Sequence, residues 1–564
     1  MFQQPSPVTW WRREVALWGT GVNSVGCLVV LLLCLLLALW ILRPSRDLPP
    51  GPWGLPLVGY LPWLNPRAPH LTLAQVAGRY GKVFSVRLGR VLAVVMADPA
   101  VVRDTLARKE TTGRAPLFLT HGIMHGYGLI CSEGEVWREH RKFVVGFMKE
   151  QGMRTVATRG VMEPKIKAVA EHLAQELADA VGPVEVAGPL LHHVGNMMNQ
   201  LIFGVTYEEK DPTWRWLRGL LQEGTKLIGV GGPINFLPWL RFLPYYSRVI
   251  RFLTESQVKT HGLYQEIFNQ HENALPLSTA SPSLTPIPSS SLCSPSSSSF
   301  TGSGDKMYPA GKESKEGRRE VKLMSSPPLH IVDAYIKERR ARGEKVGSFT
   351  WRQIQHVAAD LFGAGSETTI TTLQWHLLTM ALHPEAQDRV CGEVDAMLRK
   401  GCPLTLACCD LLPYTLASIF ETQRLHSILP LGIPHGVTED MKIGGYRVPK
   451  GSMLLPFLWA IHHDPEVWPN PYHYRPERFL GQDGKVCKLQ AFMPFQTGRR
   501  VCIGDEFAKM ILFHFTTTIL SRFRVEVQTD GKKDPSADPI SGISLTPRPF
   551  KLLFRPRNFV KRVY

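Results

Sequence analysis

From Val25 to Leu42 the chain reads VGCLVVLLLCLLLALWIL, with no charge and no proline. Slightly extended by Val22 to Ser24, such a run rises about 1.5 Å per residue as a helix and spans a hydrocarbon core of roughly 30 Å. A signal peptide has a shorter apolar region and a small-residue cleavage site, and a mitochondrial presequence is amphipathic and rich in arginine and serine. Residues 25–42 are therefore expected to form an uncleaved transmembrane anchor behind an N-terminal segment, 1–24; a buried core helix is the competing reading. Arg12 and Arg13 precede the run while Arg43 and Arg46 follow it, so charge alone leaves its orientation open. LPPGPWGLPLVGYLPWLNP follows, from Leu48 to Pro66. Its prolines fix φ and remove backbone donors, so residues 43–66 are expected to be a stiff, non-helical hinge that sets a globular body, 67–564, at an angle to the anchor.

By length alone the 564-residue chain would hold about three or four domains. Its periodicity reads as mostly helix with small sheets. VFSVRLGRVLAVVMADP, Val83 to Pro99, alternates on either side of Gly89-Arg90 and predicts a β-hairpin. Helical periodicity covers Pro164–Ala180, Thr350–Leu382 and Pro384–Lys400; strand-like pieces return at Met441–Val448 and Ser452–Pro456. Residues 275–328 are serine, proline and charge without apolar periodicity, and are expected to be a disordered insertion between two helices. The formal net charge of +17 asks for an acidic partner, an anionic membrane surface or nucleic acid. No finger, basic zipper or aromatic RNA-binding signature supports nucleic acid, so none is expected as a partner. The ten cysteines are scattered without a C-x-x-C pair, which suggests neither a zinc site nor a disulfide framework, and reduced, cytosol-facing thiols are expected.

Chemistry-bearing letters occur in five places. LFGAGSETTITTLQW, Leu361 to Trp375, sets Glu367 and Thr368 inside an apolar helical pattern. Gly365 costs about 1 kcal/mol there relative to alanine. Small residues leave a ligand room near the backbone, and an acid beside a hydroxyl can relay protons. The threonine hydroxyl either bonds the carbonyl one turn back or releases it and bends the helix. A kinked core helix with a solvent-facing Glu367 fits the same letters. WREHR puts Trp137 and Arg141 four apart; both only donate, which suits a carboxylate. FETQRLH puts Glu421 and Arg424 on one helical face, and RPERF adds Arg478. FMPFQTGRRVCIG, Phe492 to Gly504, holds one cysteine among glycines and arginines. Positive surroundings suit a thiolate ligand or nucleophile, although a lone cysteine is more often buried filler. Taken singly, each pair is ordinary.

In order, W-x-x-x-R, A-G-x-E-T, E-x-x-R, P-E-R-F and F-x-x-G-x-R-x-C-x-G resemble the cytochrome P450 family across nearly the whole chain. The resemblance implies the cytochrome P450 fold, mainly α with small β-sheets, behind a single N-terminal transmembrane helix. It implies heme b (iron protoporphyrin IX) with Cys502 as the proximal thiolate ligand of iron, which pushes electron density toward the metal and favours O–O cleavage. A helix beginning near Gly504 would aim its amides at the sulfur and lower the thiol pKa. Gly498 and Gly504 would permit tight turns and close backbone approach. Phe495 would shield the sulfur, and Trp137, Arg141, His435 and Arg500 would hold the haem propionates. Glu421, Arg424 and Arg478 match a buried, structural ion triad. Glu367 and Thr368 would deliver protons to bound oxygen. Gln496 departs from the pattern, standing where the family most often has glycine, which leaves the local turn open.

The implied activity is an O2-dependent monooxygenase fed with electrons from NADPH by NADPH-cytochrome P450 reductase, whose acidic face would meet Lys142, Arg499 and Lys509. The implied setting is the endoplasmic reticulum membrane, single-pass, with the catalytic domain facing the cytosol and membrane lipid as a further partner. GRAPLFLTHGIMHGYGLIC (Gly113–Cys131), EGTKLIGVGGPINFLPWLRFLP (Glu223–Pro244) and PLGIPHGVTED (Pro430–Asp440) resemble arthropod microsomal ecdysteroid 25-hydroxylases. That likeness implies a steroid substrate hydroxylated at C25 on the way to moulting hormone. The apolar pocket candidates are Phe118, Leu119, Met124, Ile228, Phe236, Leu237, Leu361, Ala364, Leu429, Leu431 and Ile543, and ordinary core packing is the competing reading for each. Another lipid or xenobiotic substrate, a peroxide-rearranging relative, and a non-enzymatic haem carrier or sensor remain alternatives; the Glu367–Thr368 pair speaks against the last two.

Overall fold

A computed structural model describes residues 25–35, 47–153, 162–227, 229, 232–275, 330–528, 536 and 539–557. Helix α1, residues 25–35, is exposed along its length. Among the described residues no helix is long and apolar enough to cross a membrane, and residues 36–42 of the expected anchor lie outside them. The hinge runs along the first sheet: Ser85 N and Oγ donate to Pro50 O (2.8 Å) and Pro49 O (2.7 Å). Among its described residues, 47–66, it is non-helical apart from one 3-10 turn, Leu61–Trp63.

Helix α2, Pro69–Tyr80, precedes the hairpin β1 (Val83–Leu88) and β2 (Val91–Met96), paired from Val83↔Met96 to Leu88↔Val91 around Gly89, whose φ is +58°. The expected hairpin is therefore found in register. Asp98 caps α3, Pro99–Ala107, by accepting from Ala100 N (2.8 Å) and Val101 N (2.9 Å). Strand β3 (Gly113–Arg114) and a π-helical turn, Phe118–Ile123, lead to α4 (Gly134–Glu150), α5 (Glu163–Asp179), α6 (Ala187–Phe203), α7 (Pro212–Leu227), α8 (Pro244–Ala274) and α9 (Ile331–Arg342). Then come α10 (Trp351–Leu382), α11 (Pro384–Arg399) and α12 (Pro413–His426). Strands β4 (His435–Gly436), β5 (Met441–Ile443), β6 (Tyr446–Val448) and β7 (Met453–Pro456) precede the short α13 (Leu458–His462). The chain closes with α14 (Asp505–Arg522), β8 (Phe523–Val527), β9 (Ile540–Ser541), β10 (Leu545–Thr546) and β11 (Leu552–Pro556). The fold is mainly helical with small sheets: among the described residues, one of order β1-β2-β7-β4-β3 and three two-stranded ones.

The 32-residue α10 is the axis of the larger core, packed against α6, α8, α11, α12 and α14. Thr350 caps it, its hydroxyl accepting from Gln353 N at 3.1 Å. A smaller core covers one face of the first sheet, where Phe84, Val86, Ala93 and Val95 meet α2 and residues 236–240, while Val94, Met96 and Leu454 on the other face join the larger core. The expected insertion falls, from residue 276 on, outside the described residues. The helices that bracket it are fastened directly: Arg340 of α9 donates to Glu272 O (2.6 Å) and Leu275 O (3.1 Å) at the end of α8. His271 and Asp333 meet at 2.6 Å beside them.

Candidate functional site

The loop carrying Cys502 is closed on itself and leaned against the end of α3. Gln496 N donates to Met493 O (3.0 Å), Val501 N to Gly498 O (3.2 Å) and Cys502 N to Phe495 O (3.1 Å). Gly498 has φ +80°, and a Cβ there would sit 2.1 Å from Leu106 O, so both turn and approach require glycine. Arg499 fixes the same contact through its N to Leu106 O (3.0 Å) and its Nε to Ala107 O (2.9 Å). Gly504 differs from expectation. It takes an ordinary φ of −95° at the start of α14, and a Cβ there meets nothing within 4 Å. Gln496 adopts the left-handed φ of +59° that glycine would take, and its side chain fills the space beside Gly432, reaching His435 Nε2 at 3.3 Å.

Cys502 is accessible to solvent yet crowded by protein on its other sides, and the crowding pushes its thiol up. The Gly504 N–H, Arg141 and Lys509 oppose that push, so the helix start acts as expected but does not win. A thiol in this setting becomes a thiolate when a cation binds the sulfur. Lys509 lies 5.6 Å from the centre of the Phe495 ring and pairs with Asp505 and Glu506.

Three guanidiniums gather beside this loop. Arg500 is 6% exposed and stacks 4.4 Å over Trp137; its Nε donates to Thr112 O (2.7 Å) and its terminal nitrogens to the carbonyls of Leu129, Ile130 and Ser132. Arg141 donates to Val501 O at 2.6 Å and lies 5.8 Å from the Trp137 ring. Arg114, which the motif reading missed, donates to Ile130 O (2.6 Å) and Pro434 O (3.3 Å). Burial, reinforced by Arg114 and Arg141, brings Arg500 down to about 8; burial brings Arg114 down to about 10. Such a cluster, whose nearby carboxylates are Glu133 and Asp360, is cationic and desolvated, and suits a ligand bearing carboxylates within reach of a sulfur donor. The residues therefore fit a haem with its two propionates. His435 is buried and pushed down to about 3 by burial, and its two nitrogens face Thr111 O (2.9 Å) and Gln496 Oε1 (3.3 Å). Arg114 is its partner in the β3–β4 pair, and Arg114 and Arg500 add to the burial that lowers it, so it stands between the cysteine loop and the arginines.

Helix α10 passes the site and packs on α14. Ala364 is exposed between the buried Phe362 and Ser366, so a small area of the central helix opens here. Thr368 Oγ1 bonds Ala364 O (2.7 Å), the first of the two alternatives, and the helix continues without interruption. Gly365 faces α6 as well: a Cβ there would meet Met198 Cε, the flexible end of that side chain, at 2.5 Å. Glu367 Oε1 accepts from Ser544 Oγ at 2.8 Å, so it is not a freely solvated acid. Two further α10 residues escaped the sequence reading. Asp360 Oδ2 accepts from Leu129 N (2.7 Å) and Ile130 N (2.8 Å), and Gln353 exchanges two 3.1 Å bonds with the Gly128 backbone. They hold the segment whose carbonyls receive Arg500 and Arg114. Two polar letters in an apolar helical pattern were the available signal.

The ion triad is assembled as expected. Arg424 grips Glu421 through two bonds of 2.7 and 2.8 Å with both side chains fully buried, and Arg478 Nε reaches Glu421 Oε1 at 3.2 Å. The pocket set divides. Phe118, Leu119, Met124, Leu361, Leu429 and Ile543 are partly open, but Phe236, Leu237 and Leu431 are not. Those three belong to the smaller core, where they complete packing over the first sheet, and Gly89 exists to admit Phe236 O and Leu237. Ile228 lies outside the described residues.

The chain is 38% identical over 581 residues to cytochrome P450 306a1 of Drosophila melanogaster, covering 95% of each. It is 29% identical to cytochrome P450 18a1 of the same fly, over 96% of this chain and 93% of the relative. It is 31% identical to the vitamin D(3) 25-hydroxylase of Sus scrofa, over 95% and 98%. The sequence pattern of the family described as cytochrome P450 matches residues 49–554, and the chain belongs to that family of haem b monooxygenases.

Proposed function

We propose that this enzyme is a membrane-bound steroid hydroxylase that acts at C25 of an ecdysteroid precursor. The observation that carries the reading is the opening at Ala364, a methyl-sized side chain exposed in an otherwise largely buried helix one turn before the Thr368 hydroxyl. It suits the narrow end of an apolar sterol, and the pocket candidates Phe118, Leu119, Met124, Leu361, Leu429 and Ile543 are apolar and partly open. One relative is named a vitamin D(3) 25-hydroxylase, and the likeness of the stretches at 113–131 and 430–440 to ecdysteroid 25-hydroxylases supports an ecdysteroid as the substrate.

Haem bound through Cys502 would supply reductive activation of O2. Trp137, Arg141, Arg500 and Arg114 would neutralise and orient its propionates. Thr368 would hold a proton near the reacting oxygen once its hydroxyl turns from Ala364 O, and Glu367 would pass protons to it. Lys142 and Arg499 are exposed and suit the acidic face of NADPH-cytochrome P450 reductase, whereas Lys509 is already committed to Asp505 and Glu506.

The haem domain, from residue 67, would sit on the cytosolic face of the endoplasmic reticulum behind the anchor at 25–42. Trp53, Leu57, Trp63 and Leu71, with Trp239, Phe242 and Tyr245, are large, apolar and exposed. Their two stretches share the smaller core through Leu64, Leu73, Phe236, Leu237 and Leu240, so one side of the molecule would face lipid. The direct test is expression in microsomes with a reductase, incubation with 25-deoxy ecdysteroid precursors, and mass analysis of the products. Ala364→Phe should block the reaction at unchanged haem content. Wild-type enzyme that leaves every such precursor unhydroxylated would remove the steroid reading.

A further inference from the structure

The C-terminal hairpin β9–β10 is bound to α10 and its neighbour at three separate points. Ser544 Oγ donates to Glu367 Oε1 at 2.8 Å, Trp375 Nε1 donates to Leu545 O at 2.8 Å, and Leu545 N donates to Ile428 O at 2.8 Å. Ser544 is 3% exposed and Trp375 1%, while Glu367 is partly open. Two of the three bonds join main-chain atoms of the hairpin to fixed partners and determine where it lies. The third differs in kind, because it spends a buried side-chain hydroxyl on a carboxylate. Residue 544 follows Ile543, a partly open residue at the tip of the hairpin.

We propose that Ser544 is a positioning residue for the carboxylate of Glu367, fixing the acid of the proton relay from the far end of the chain. This rests on the relay role proposed for Glu367. A hydroxyl donated to a carboxylate favours its ionised form and restricts its rotamer, and removing that bond weakens both constraints. The hairpin fold does not need the hydroxyl. Its register, Leu545↔Ser541 and Thr546↔Ile540, is made by the main chain, and Trp375 and Ile428 hold it in place. The side chain at 544 therefore acts on the acid and not on the scaffold. Because Ile543 precedes it, a ligand resting on the hairpin tip would bear directly on the residue that aims the acid.

The full-length enzyme in reductase-containing membranes provides the test. Ser544→Ala should keep its haem spectrum, its ligand-induced spectral shift and its hydrogen-exchange protection at 540–546. It should lose product per NADPH consumed severalfold, with hydrogen peroxide making up the difference, and its pH profile of coupling should move to higher pH. Ser544→Thr should restore both coupling and profile, and Thr546→Ala, which removes only a 3.4 Å bond to Ile540 O within the hairpin, should match wild type. In a Glu367→Gln background, Ser544→Ala should add no further loss. Unchanged coupling and pH profile in Ser544→Ala, or losses that add to those of Glu367→Gln, would overturn the proposal. So would loss of exchange protection across the hairpin in Ser544→Ala, which would make the hydroxyl a part of the scaffold. Coupling is measured on whichever lipid the wild-type enzyme hydroxylates, so failure on ecdysteroid precursors overturns the steroid reading and leaves this test intact.

Discussion

At the scale of single residues, Cys502 and Thr368 differ in what the surrounding protein does to them. Crowding pushes the Cys502 thiol up while the Gly504 N–H, Arg141 and Lys509 pull it down, and an iron bound at the sulfur would favour the thiolate. Cys502→Ser should therefore abolish the red-shifted absorbance band of the reduced carbon monoxide complex, since a neutral hydroxyl is a poor donor; a normal band in that variant would remove Cys502 as the ligand. Thr368 instead makes a bond that must be given up for its proposed role. Thr368→Ala should preserve ligand binding and raise peroxide per NADPH; unchanged coupling would mean that water takes the place of the hydroxyl. The motif letters located both residues, because spacing around glycine and cysteine is local. Arg114 and Ser544 were not legible. Each lies far along the chain from what it serves, and GRAP and SGIS contain nothing that distinguishes a buried contact from a surface turn.

Among the secondary-structure elements, those with strong periodicity were read correctly to within a residue or so: the hairpin at 83–96, α5, α10 and α11. Their signal is the alternation between a buried and an open face, which a window of one element contains. What the elements do to one another was less legible. Phe236 and Leu237 looked like pocket and pack in the smaller core, because letters show apolarity but not the identity of the neighbour. The ion triad joins α12 to the 3-10 turn Pro476–Phe479, with Glu421 and Arg424 at 0% side-chain exposure. Arg424→Ala should cost about 3–5 kcal/mol, since Glu421 would be left charged and buried. Chemical denaturation of the haem-loaded protein measures it; a loss below about 1 kcal/mol, the scale of an exposed pair, would show that water reaches the site.

Over the whole molecule, stability is tied to pH through histidines that the fold buries in the neutral form. Burial pushes His376 and His426 down to about 3, and His70, His356 and His463 down to about 4. Their unfolded value is 6.5, so between 6.5 and the folded values the unfolded chain binds more protons than the folded one. The stabilisation is thus complete above pH 6.5 and is lost as pH falls, each group contributing up to about 1.4 kcal/mol per pH unit. One buried acid works in the opposite direction. Asp360 is raised by burial from 3.8 to about 7, so its contribution is present below its unfolded value and is lost as pH rises through that window. A single carboxyl does not offset several imidazoles, and the histidines set the sign. The thermal midpoint of the haem-loaded enzyme should fall steeply from about pH 6.5 downward, with the 420–430 and 460–470 regions, where His426 and His463 sit, gaining hydrogen exchange first. His376 offers the sharper check, because its Nδ1 meets Thr422 Oγ1 at 3.0 Å while its Nε2 is buried without a partner among the described residues. His376→Asn keeps a polar atom for Thr422 and removes the proton site, so the slope of stability against pH should drop by about one proton's share, roughly 1.4 kcal/mol per unit. An unchanged slope in that variant would mean that His376 is not neutral in the folded enzyme, and a wild-type midpoint flat between about pH 7 and 5 would remove the linkage altogether.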